Sequence, residues 1–363
     1  MRKKLYIVRR EAGGIGGAEK VANKFAEAFS EHFDTHLISA GSTINDIQIK
    51  GTSGPSWWKC LKFAISSNQF IKKNPNSLIL SMERGVPGTI YRAGDGVHKV
   101  WIKHKYGSSR KWIVNPLHWT LPLLEKHSIE ESTMIVPNSQ MVKRHILDDY
   151  DVPADKLKVI YNGYDSNVYY PLTFPQRKSL RQKLHIDNNN INFLFSGSGW
   201  ERKGLDVTIR FLAEIKIAGR NPFLWVAGKG NKDKYKKVAK QHGVVQSIKF
   251  LGSVRDINQW YQAADYMILP TALDPFSNSC LESLACGCPI ITSNMNGAAE
   301  LVKDKVNGFI LKTNSGKACK QLAEVIARRS NNHSRLKNDE TFQYPSLKGE
   351  IEEYINTLME IKI

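Results

Sequence analysis

Short apolar runs alternate with amphipathic stretches along most of the 363-residue chain. The run Leu5–Val8 is continuously apolar, which is typical of a buried parallel strand. The stretch Leu205–Ala218 repeats apolar residues with the period of an amphipathic helix. This alternation predicts an α/β protein with two doubly wound parallel sheets. Further strands are expected at Thr35–Ser39, Ser77–Ser81, Met134–Pro137, Phe193–Ser196, Phe223–Ala227, Ile248–Leu251, Tyr266–Leu269 and Pro289–Thr292.

A proline-containing segment marks the join between the two halves. It reads Tyr170-Pro-Leu-Thr-Phe-Pro175, and it separates a long loop from a polar helix. We therefore expect one Rossmann-like domain over residues 1–172, a second over 173–343, and a C-terminal helix over 344–363 that packs back on the body. Ligands of such sheets bind beyond the carboxyl ends of the strands, so the loops that follow strands are the candidate sites.

The composition indicates the class of partner and the cellular compartment. A net charge of +18 indicates an acidic partner, such as nucleic acid, anionic lipid or a phosphorylated substrate. Five scattered cysteines argue against a disulfide framework and for a reducing compartment. No run reaches the roughly 20 apolar residues that a membrane span needs. We therefore expect a cytoplasmic protein whose contact with a membrane is peripheral.

The sharpest chemical signal is a pair of acids, Asp274 and Glu282, around the start of a predicted helix. Backbone N–H groups and the helix dipole at such an N-terminus suit a diphosphate. Asp274 could then reach a sugar hydroxyl, and Glu282 could bind both hydroxyls of a ribose. The alternative is a loop acid and a helix acid that are merely solvated. The residues expected to line this helix start are Phe276, Ser277, Asn278 and Ser279.

A glycine-containing turn follows the predicted strand Phe193–Ser196 and ends in two cations, Arg202 and Lys203. Glycines allow a ligand to approach the backbone closely. Cleavage of a sugar–phosphate bond builds negative charge on the leaving oxygen, which preorganised cations stabilise. The alternative is a basic turn that caps the following helix.

Several motifs, in order over roughly residues 1–330, resemble those of glycosyltransferase family 4. They are the spacing of Asp274 and Glu282, the Lys203-Gly204 pair, Gly13–Glu19 after the first strand, Ile135–Ser139, and Val159–Asp165 with Tyr170-Pro171. The resemblance implies the GT-B architecture, which is two facing Rossmann-like domains with an interdomain cleft. It also implies a retaining, metal-independent transfer from a nucleotide sugar bound by the C-terminal domain to an acceptor bound by the N-terminal domain.

The resemblance also implies roles for individual residues. The expected contacts are ribose with Glu282, the donor sugar with Asp274, the diphosphate with Arg202 and Lys203, and the base with Arg255. Two positions depart from the family pattern. Asp274 replaces the more usual Glu. Ser198 stands where an Arg is common, and Arg202 would then take over the role of that Arg.

The first half carries the candidate acceptor residues. Gly16 and Gly17 precede a predicted helix and would lie near the donor phosphates, while Glu19 would lie on the acceptor side. The fingerprint of a redox dinucleotide site is absent there. Asp95 lies between two glycines, and His98 follows it. In a retaining reaction either side chain could orient the acceptor hydroxyl. The segment Tyr91–His98 resembles the corresponding loop of the bacterial lipopolysaccharide core glucosyltransferases, where an Asp occupies this place, so we prefer Asp95. The alternative is that Asp95 is a solvated loop acid and His98 a surface histidine, neither of them with a role in the reaction.

Cations and tryptophans are concentrated between Asp46 and Glu125, where the only acids are Glu83 and Asp95. Tryptophan rings at the headgroup level and lysines on lipid phosphate are typical of an interfacial membrane segment. A nucleic-acid surface is the alternative, but no RNA- or DNA-binding motif accompanies these residues. The expected membrane residues are Trp57, Trp58, Lys59, Lys62, Lys103 and Lys105.

The sequence thus predicts a retaining glycosyltransferase that moves a hexose, with glucose as the expected sugar, from a UDP-sugar to a lipid-anchored, phosphorylated glycan such as the lipopolysaccharide core. It would act on the inner face of the inner membrane, with no cofactor, no metal and no nucleic acid. The alternatives are a transferase of the same fold that uses GDP-mannose, UDP-N-acetylhexosamine or another surface glycan, a nucleotide-sugar epimerase, and a non-catalytic basic adaptor.

Overall fold

The computed structural model describes residues 2–11, 17–41, 47–49, 53–312, 315–328 and 342–361, and of residues 17–20 it describes the backbone alone. The chain divides into two units. The first comprises Met1–Asn162 with Lys348–Ile363, and the second comprises Gly163–Leu347. The chain therefore leaves the first unit after Asn162 and returns to it at Lys348.

The first unit is built on a parallel sheet. Its strands are β1 (Lys4–Val8), β2 (Asp34–Ser39), β3 (Ile47–Gln48), β4 (Leu78–Ser81), β5 (Ile90–Ala93) and β6 (Met134–Pro137). They lie in the order β3-β2-β1-β4-β5-β6, and all neighbours are parallel. Its helices are α1 (Gly17–Phe29), α2 (Ser56–Lys72), α3 (His98–Tyr106), α4 (Leu117–Glu131), α5 (Gln140–Asp149) and α12 (Leu347–Glu360).

Strand β4 reads Leu-Ile-Leu-Ser and is buried at every position, as expected of an interior strand in a parallel sheet. Helix α12 packs in the same unit, where the ring of Tyr354 lies 5.2 Å from that of Phe25 on α1. Arg92 on β5 is a buried cation. It donates to Asn162 Oδ1 at 2.7 Å and to Glu350 Oε1 at 3.3 Å, so its charge is paired within the unit.

The second unit repeats the plan. Its strands are β7 (Ile191–Ser196), β8 (Pro222–Ala227), β9 (Ile248–Gly252), β10 (Tyr266–Leu269), β11 (Ile290–Ser293) and β12 (Gly308–Leu311). They form one parallel sheet in the order β12-β11-β10-β7-β8-β9. Its helices are α6 (Phe174–Lys183), α7 (Leu205–Ile217), α8 (Lys232–Gln241), α9 (Ile257–Ala263), α10 (Asn278–Ala285) and α11 (Gly316–Arg328). The strand order reverses beside β7, and open α/β sheets bind ligands at such a point.

The predicted pair of doubly wound parallel sheets is confirmed. Strands β3, β5 and β12 were not predicted. Strand β5 contains Arg92, which interrupts its apolar run, and the two residues of β3 are too few for a pattern. The five cysteines are buried as free thiols. Among the described residues, no helix combines the length and apolar character required to cross a bilayer.

Candidate functional site

Two loops at the carboxyl edge of the second sheet are fastened together. The loop after β7 carries Arg202, whose carbonyl accepts hydrogen bonds from the N–H of Ala272 at 2.8 Å and the hydroxyl of Thr271 at 3.0 Å. Ala272 and Thr271 belong to the loop after β10, the strand beside β7. Gly204 permits this approach, because its φ is +80° and a Cβ there would lie 2.2 Å from the carbonyl oxygen of Pro270.

Asp274 is the residue on which the predicted cations converge. Lys203 Nζ donates a hydrogen bond to Asp274 Oδ2, and Arg202 Nη1 lies 3.4 Å from the same oxygen. The side chains of Asp274 and Lys203 are largely buried, whereas that of Arg202 is 37% exposed. The structure therefore brings together three of the predicted donor-site residues, which form one shared acid–cation group.

Asn296 fixes this edge of the sheet, and sequence reasoning missed it. Its buried Oδ1 accepts from the backbone N–H groups of Ser277 and Ala298, both at 3.1 Å. Its Nδ2 donates to the hydroxyl of Thr292 at 2.9 Å. Because Ser277 immediately precedes α10, Asn296 positions the start of the helix that carries Glu282. An Asn that follows a predicted strand was the only signal for it.

Glu282 lies on α10 and is held by tyrosines. The hydroxyl of Tyr261 donates to Glu282 Oε2 at 3.2 Å, and Tyr169 hydrogen-bonds the same carboxylate. Burial, followed by the negative charge of Glu282, raises the pKa of both phenols, so each stays protonated and able to donate. The two tyrosines therefore fix the orientation of the carboxylate through their hydrogen bonds.

The remaining predicted donor residues fall into two groups. Phe276 and Ser277 are buried in front of α10, and the hydroxyls of Ser277 and Ser279 lie 2.9 Å apart. Asn278 is the first residue of α10. Arg255, three residues after β9, is exposed, and within the described part of the chain it makes no ion pair with the group around Asp274.

The first unit has its own charged group at the carboxyl edge of its sheet. Arg9 follows β1, and its Nη1 lies 3.1 Å from Oδ2 of Asp95, which follows β5. Arg84, which follows β4, approaches the same oxygen at 3.9 Å. Burial acts to raise the pKa of Asp95, but the cations of Arg9 and Arg84 outweigh it, and the pKa lies below its ordinary value. Asp95 nevertheless remains 45% exposed at its side chain.

Arg9 and Arg84 were not predicted as site residues, although each follows a strand. Glu125 on α4 fixes Arg84, accepting from its Nε at 2.8 Å. Glu125 also accepts from the hydroxyl of Tyr150 at 2.7 Å. Arg84 is thereby held at the sheet edge, where its charge reaches Asp95.

His98 is buried rather than presented at a surface. Its Nε2 lies 3.0 Å from Nδ1 of His118, whose Nε2 is 3.1 Å from the hydroxyl of Tyr106. Burial, the Arg84 cation and His118 lower the pKa of His98 to about 3, so its ring is neutral near pH 7. His98 thus contacts other side chains inside the protein, whereas the Asp95 side chain is partly exposed to solvent.

The predictions of Gly16 and Gly17 near the donor phosphates and of Glu19 on the acceptor side concern the start of α1. Gly16 lies outside the described residues, as do the side chains of the helix start that contains Gly17 and Glu19. No group of three or more potential metal ligands occurs among the residues that the structure describes.

The predicted membrane residues differ in exposure. Trp57, Trp58, Lys59 and Lys62 on α2 are half-buried, and the ammonium of Lys62 lies 5.2 Å from the ring centre of Trp58. Lys103 and Lys105 on α3 are exposed. Four exposed apolar side chains lie in the same stretch of sequence, Ile113 and Val114 just before α4 and Trp119 and Leu123 on it, and we term this set the α4 face. Trp119 Nε1 donates to the carbonyl of Ile113 at 2.8 Å.

Comparisons with known proteins agree with this architecture. The model of the Glycosyltransferase Family 4 domain matches residues 15–168, and that of the Glycosyl transferases group 1 domain matches residues 176–340. An uncharacterized glycosyltransferase of Methanocaldococcus jannaschii is 30% identical over 237 residues, which are 58% of this chain and 60% of that protein. The chain thus spans about 60% of the length of the curated relatives it matches first.

Two solved structures share the fold. WaaG, a glycosyltransferase involved in lipopolysaccharide biosynthesis, superimposes with a TM-score of 0.82 at 18% identity, covering 98% of this chain and 100% of its own. The Anabaena protein HepE, in complex with UDP and glucose, gives a TM-score of 0.76 at 18% identity, covering 99% and 100%. Residues 15–168 thus match a Glycosyltransferase Family 4 domain and residues 176–340 match a Glycosyl transferases group 1 domain, and the chain has the GT-B type of fold.

Proposed function

We propose that this protein is a retaining hexosyltransferase that moves a sugar, with glucose as the expected one, from a UDP-sugar to a lipid-anchored glycan such as the lipopolysaccharide core. One observation carries the donor half of the proposal. Arg202, Lys203 and Asp274 meet at the edge of the second sheet, where α10 also carries the tyrosine-held Glu282. The complex of HepE with UDP and glucose supports the same class of donor.

The proposed mechanism uses these groups without a metal. Glu282 binds the ribose hydroxyls, and Arg202 and Lys203 stabilise the charge that develops on the diphosphate as the sugar leaves. The acceptor hydroxyl attacks from the face of the leaving group, and the departing phosphate oxygen takes its proton. Asp95 orients that hydroxyl as an ionised acceptor of its hydrogen bond. The exposure of Asp95 and the burial of His98 favour Asp95 for this role.

The proposed acceptor is linked to an anionic membrane. The α4 face presents Val114, 85% exposed, and Leu123, 69% exposed. Exposed cations precede it in the sequence at Lys103, Lys105 and Lys111. Apolar side chains that enter the interface next to lysines on lipid phosphate would bring the first unit to its acceptor at the membrane surface. The part that WaaG plays in lipopolysaccharide biosynthesis supports this class of acceptor.

Calorimetry with UDP tests the donor half. We expect Glu282→Ala to abolish UDP binding while circular dichroism and the melting temperature show a folded protein. Glu201→Ala is the matched control, since the Glu201 carboxylate is exposed and pairs with Lys234. Unchanged UDP affinity in Glu282→Ala would remove Glu282 from the site.

The rival functions give different results. A GDP-mannose transferase should be stabilised by GDP rather than UDP in a thermal shift, and an adaptor by neither nucleotide. An epimerase should convert a nucleotide sugar in the absence of an acceptor. A transferase should form product only when a truncated core glycan is supplied, with the anomeric configuration of the donor retained.

A further inference from the structure

Asp274 uses a single carboxylate oxygen for both cations. Oδ2 accepts from Lys203 Nζ and lies 3.4 Å from Arg202 Nη1. The pair with Lys203 is shielded from water, since the exposed fractions of the two side chains are 9% for Asp274 and 13% for Lys203. In such surroundings an ion pair is weakly screened, and a charge that loses its partner is strongly destabilised. Neither cation is therefore idle when no ligand is bound.

The backbone of Asp274 is fixed on both sides. Its N–H donates to the carbonyl of Met295 at 2.9 Å, and its own carbonyl accepts from the N–H of Gly297 at 3.0 Å. The carbonyl of Arg202 is likewise held by the loop after β10. The carboxylate can therefore leave the cations by rotation of its own short side chain, without movement of either loop.

We infer that Asp274 is an internal counter-anion, which the nucleotide diphosphate displaces from Lys203 and Arg202 when the donor binds. This inference rests on the proposed function, because it assigns the two cations to the diphosphate. A diphosphate and the Asp274 carboxylate compete for the same N–H donors, so the free enzyme binds the nucleotide less tightly than its cations alone would allow.

Displacement links the two parts of the donor. Once the diphosphate occupies Lys203 and Arg202, the Asp274 carboxylate is released and can rotate toward a sugar hydroxyl. The acid is then available to the sugar only when the diphosphate is in place. An aspartate is one methylene shorter than a glutamate, so its carboxylate lies nearer to the fixed backbone. The shorter side chain therefore favours the ion pair with Lys203 and Arg202 over release of the carboxylate.

The inference predicts that loss of a donor-site acid strengthens nucleotide binding. Asp274→Asn keeps the shape and removes the charge, so we expect UDP affinity to rise roughly fivefold or more by calorimetry. Turnover of the UDP-sugar should fall, since the sugar loses an anionic acceptor. The melting temperature without ligand should fall as well, and saturating UDP should bring it close to that of wild type with UDP.

A control variant separates the displacement of Asp274 from a general change in the electrostatic field of the protein. Glu201→Gln makes the same charge change one residue from Arg202, but the Glu201 side chain is 86% exposed and pairs with Lys234 at 3.3 Å. We expect less than a twofold change in its UDP affinity. Asp274→Ser provides a second neutral variant, should the asparagine form fold poorly.

The outcomes are distinguishable. Equal or weaker UDP binding by the neutral Asp274 variants, with wild type binding normally, would overturn the counter-anion role and leave the proposed function intact. An equal gain in Glu201→Gln would also overturn it, because the effect would then be long-range. A wild-type protein that binds no UDP would overturn both the inference and the proposed donor site.

Discussion

The hydroxyl of Tyr261 lies between Glu282 and Ser196, at 3.2 Å from Glu282 Oε2 and 3.0 Å from Ser196 Oγ. A phenol has one proton to donate. The Glu282 carboxylate is the stronger acceptor for that proton, and the second contact joins the oxygens of Tyr261 and Ser196. Strand β7, which ends at Ser196, thus orients the acid proposed to bind ribose.

The hydrogen bond from Tyr261 to Glu282 predicts a loss of UDP affinity in Tyr261→Phe. The ring remains packed, but Glu282 loses a donor and its carboxylate can rotate. We expect UDP affinity to fall by about three- to tenfold, which corresponds to one hydrogen bond to a charged group acting through its partner. The affinity of 2′-deoxy-UDP should fall less, because that ligand already lacks one of the hydroxyls that Glu282 would bind. Calorimetry with both nucleotides measures the difference.

The control for this prediction is Tyr235→Phe. Tyr235 is buried against Trp200 in the same unit, with ring centres 5.6 Å apart. Its loss of a hydroxyl should leave both affinities as in wild type. Equal losses for UDP and 2′-deoxy-UDP in Tyr261→Phe would assign Tyr261 a purely structural role.

Arg9 predicts a pH dependence for transfer. In the proposed mechanism an ionised Asp95 accepts the hydrogen bond of the acceptor hydroxyl, and Arg9 helps to keep the pKa of Asp95 below its ordinary value. In Arg9→Met the pKa of Asp95 rises, so the acid limb of kcat/KM should move to higher pH by about one unit. Arg2→Met removes an exposed cation that bonds the Ser30 carbonyl, and it should leave the profile unchanged. An unmoved acid limb in Arg9→Met would count against Asp95.

The same pair has a small effect on stability. A carboxyl whose folded pKa is lowered contributes stability that is present above its unfolded pKa near 4 and is lost as the pH falls through the folded pKa. Because Asp95 is nearly half exposed, we expect this contribution to stay below about 1 kcal/mol. Urea unfolding of Arg9→Met and wild type should therefore differ more at pH 7 than at pH 3.

Asn296 predicts the largest loss of stability. In Asn296→Ala the buried N–H groups of Ser277 and Ala298 lose their acceptor, and no solvent reaches them. We expect the second unit to lose about 2–4 kcal/mol in denaturant unfolding, together with weaker UDP binding, because the start of α10 loosens. Asn189→Ala, at an exposed position, should change stability by less than about 0.5 kcal/mol. Equal stabilities for the two variants would contradict the anchoring role.

Sequence patterns predicted those features that lie within one segment. Strand–helix alternation gave both sheets, and the spacing of Asp274 and Glu282 pointed to α10. Tyr261 could not be connected with Glu282 in this way. It lies 21 positions earlier on α9, and only the packing of α9 beside α10 brings its hydroxyl to the carboxylate.

The same limit applies to the charged group in the first unit. Arg9 and Asp95 are 86 positions apart, and they meet because β1 and β5 both flank β4. Strand order in a parallel sheet is set by packing between distant segments, so pairing across it is not readable from local periodicity. Single residues that follow strands could be flagged from the sequence, whereas their partners could not.

The last prediction concerns membrane binding, for which α2 and the α4 face are the two candidate surfaces. They differ in how far their apolar side chains are exposed. The tryptophans of α2 are half-buried, whereas Val114 and Leu123 of the α4 face project into solvent. Val114→Asp and Leu123→Asp should each lower partitioning to vesicles that contain anionic lipid by roughly fivefold in sedimentation, since an apolar insertion is lost. Ile217→Asp on α7 is the matched control at a similarly exposed position, 75%, and should bind as wild type does. Equal losses in all three variants, or none, would argue that the α4 face does not meet the membrane, and the acceptor would then have to be reached in solution.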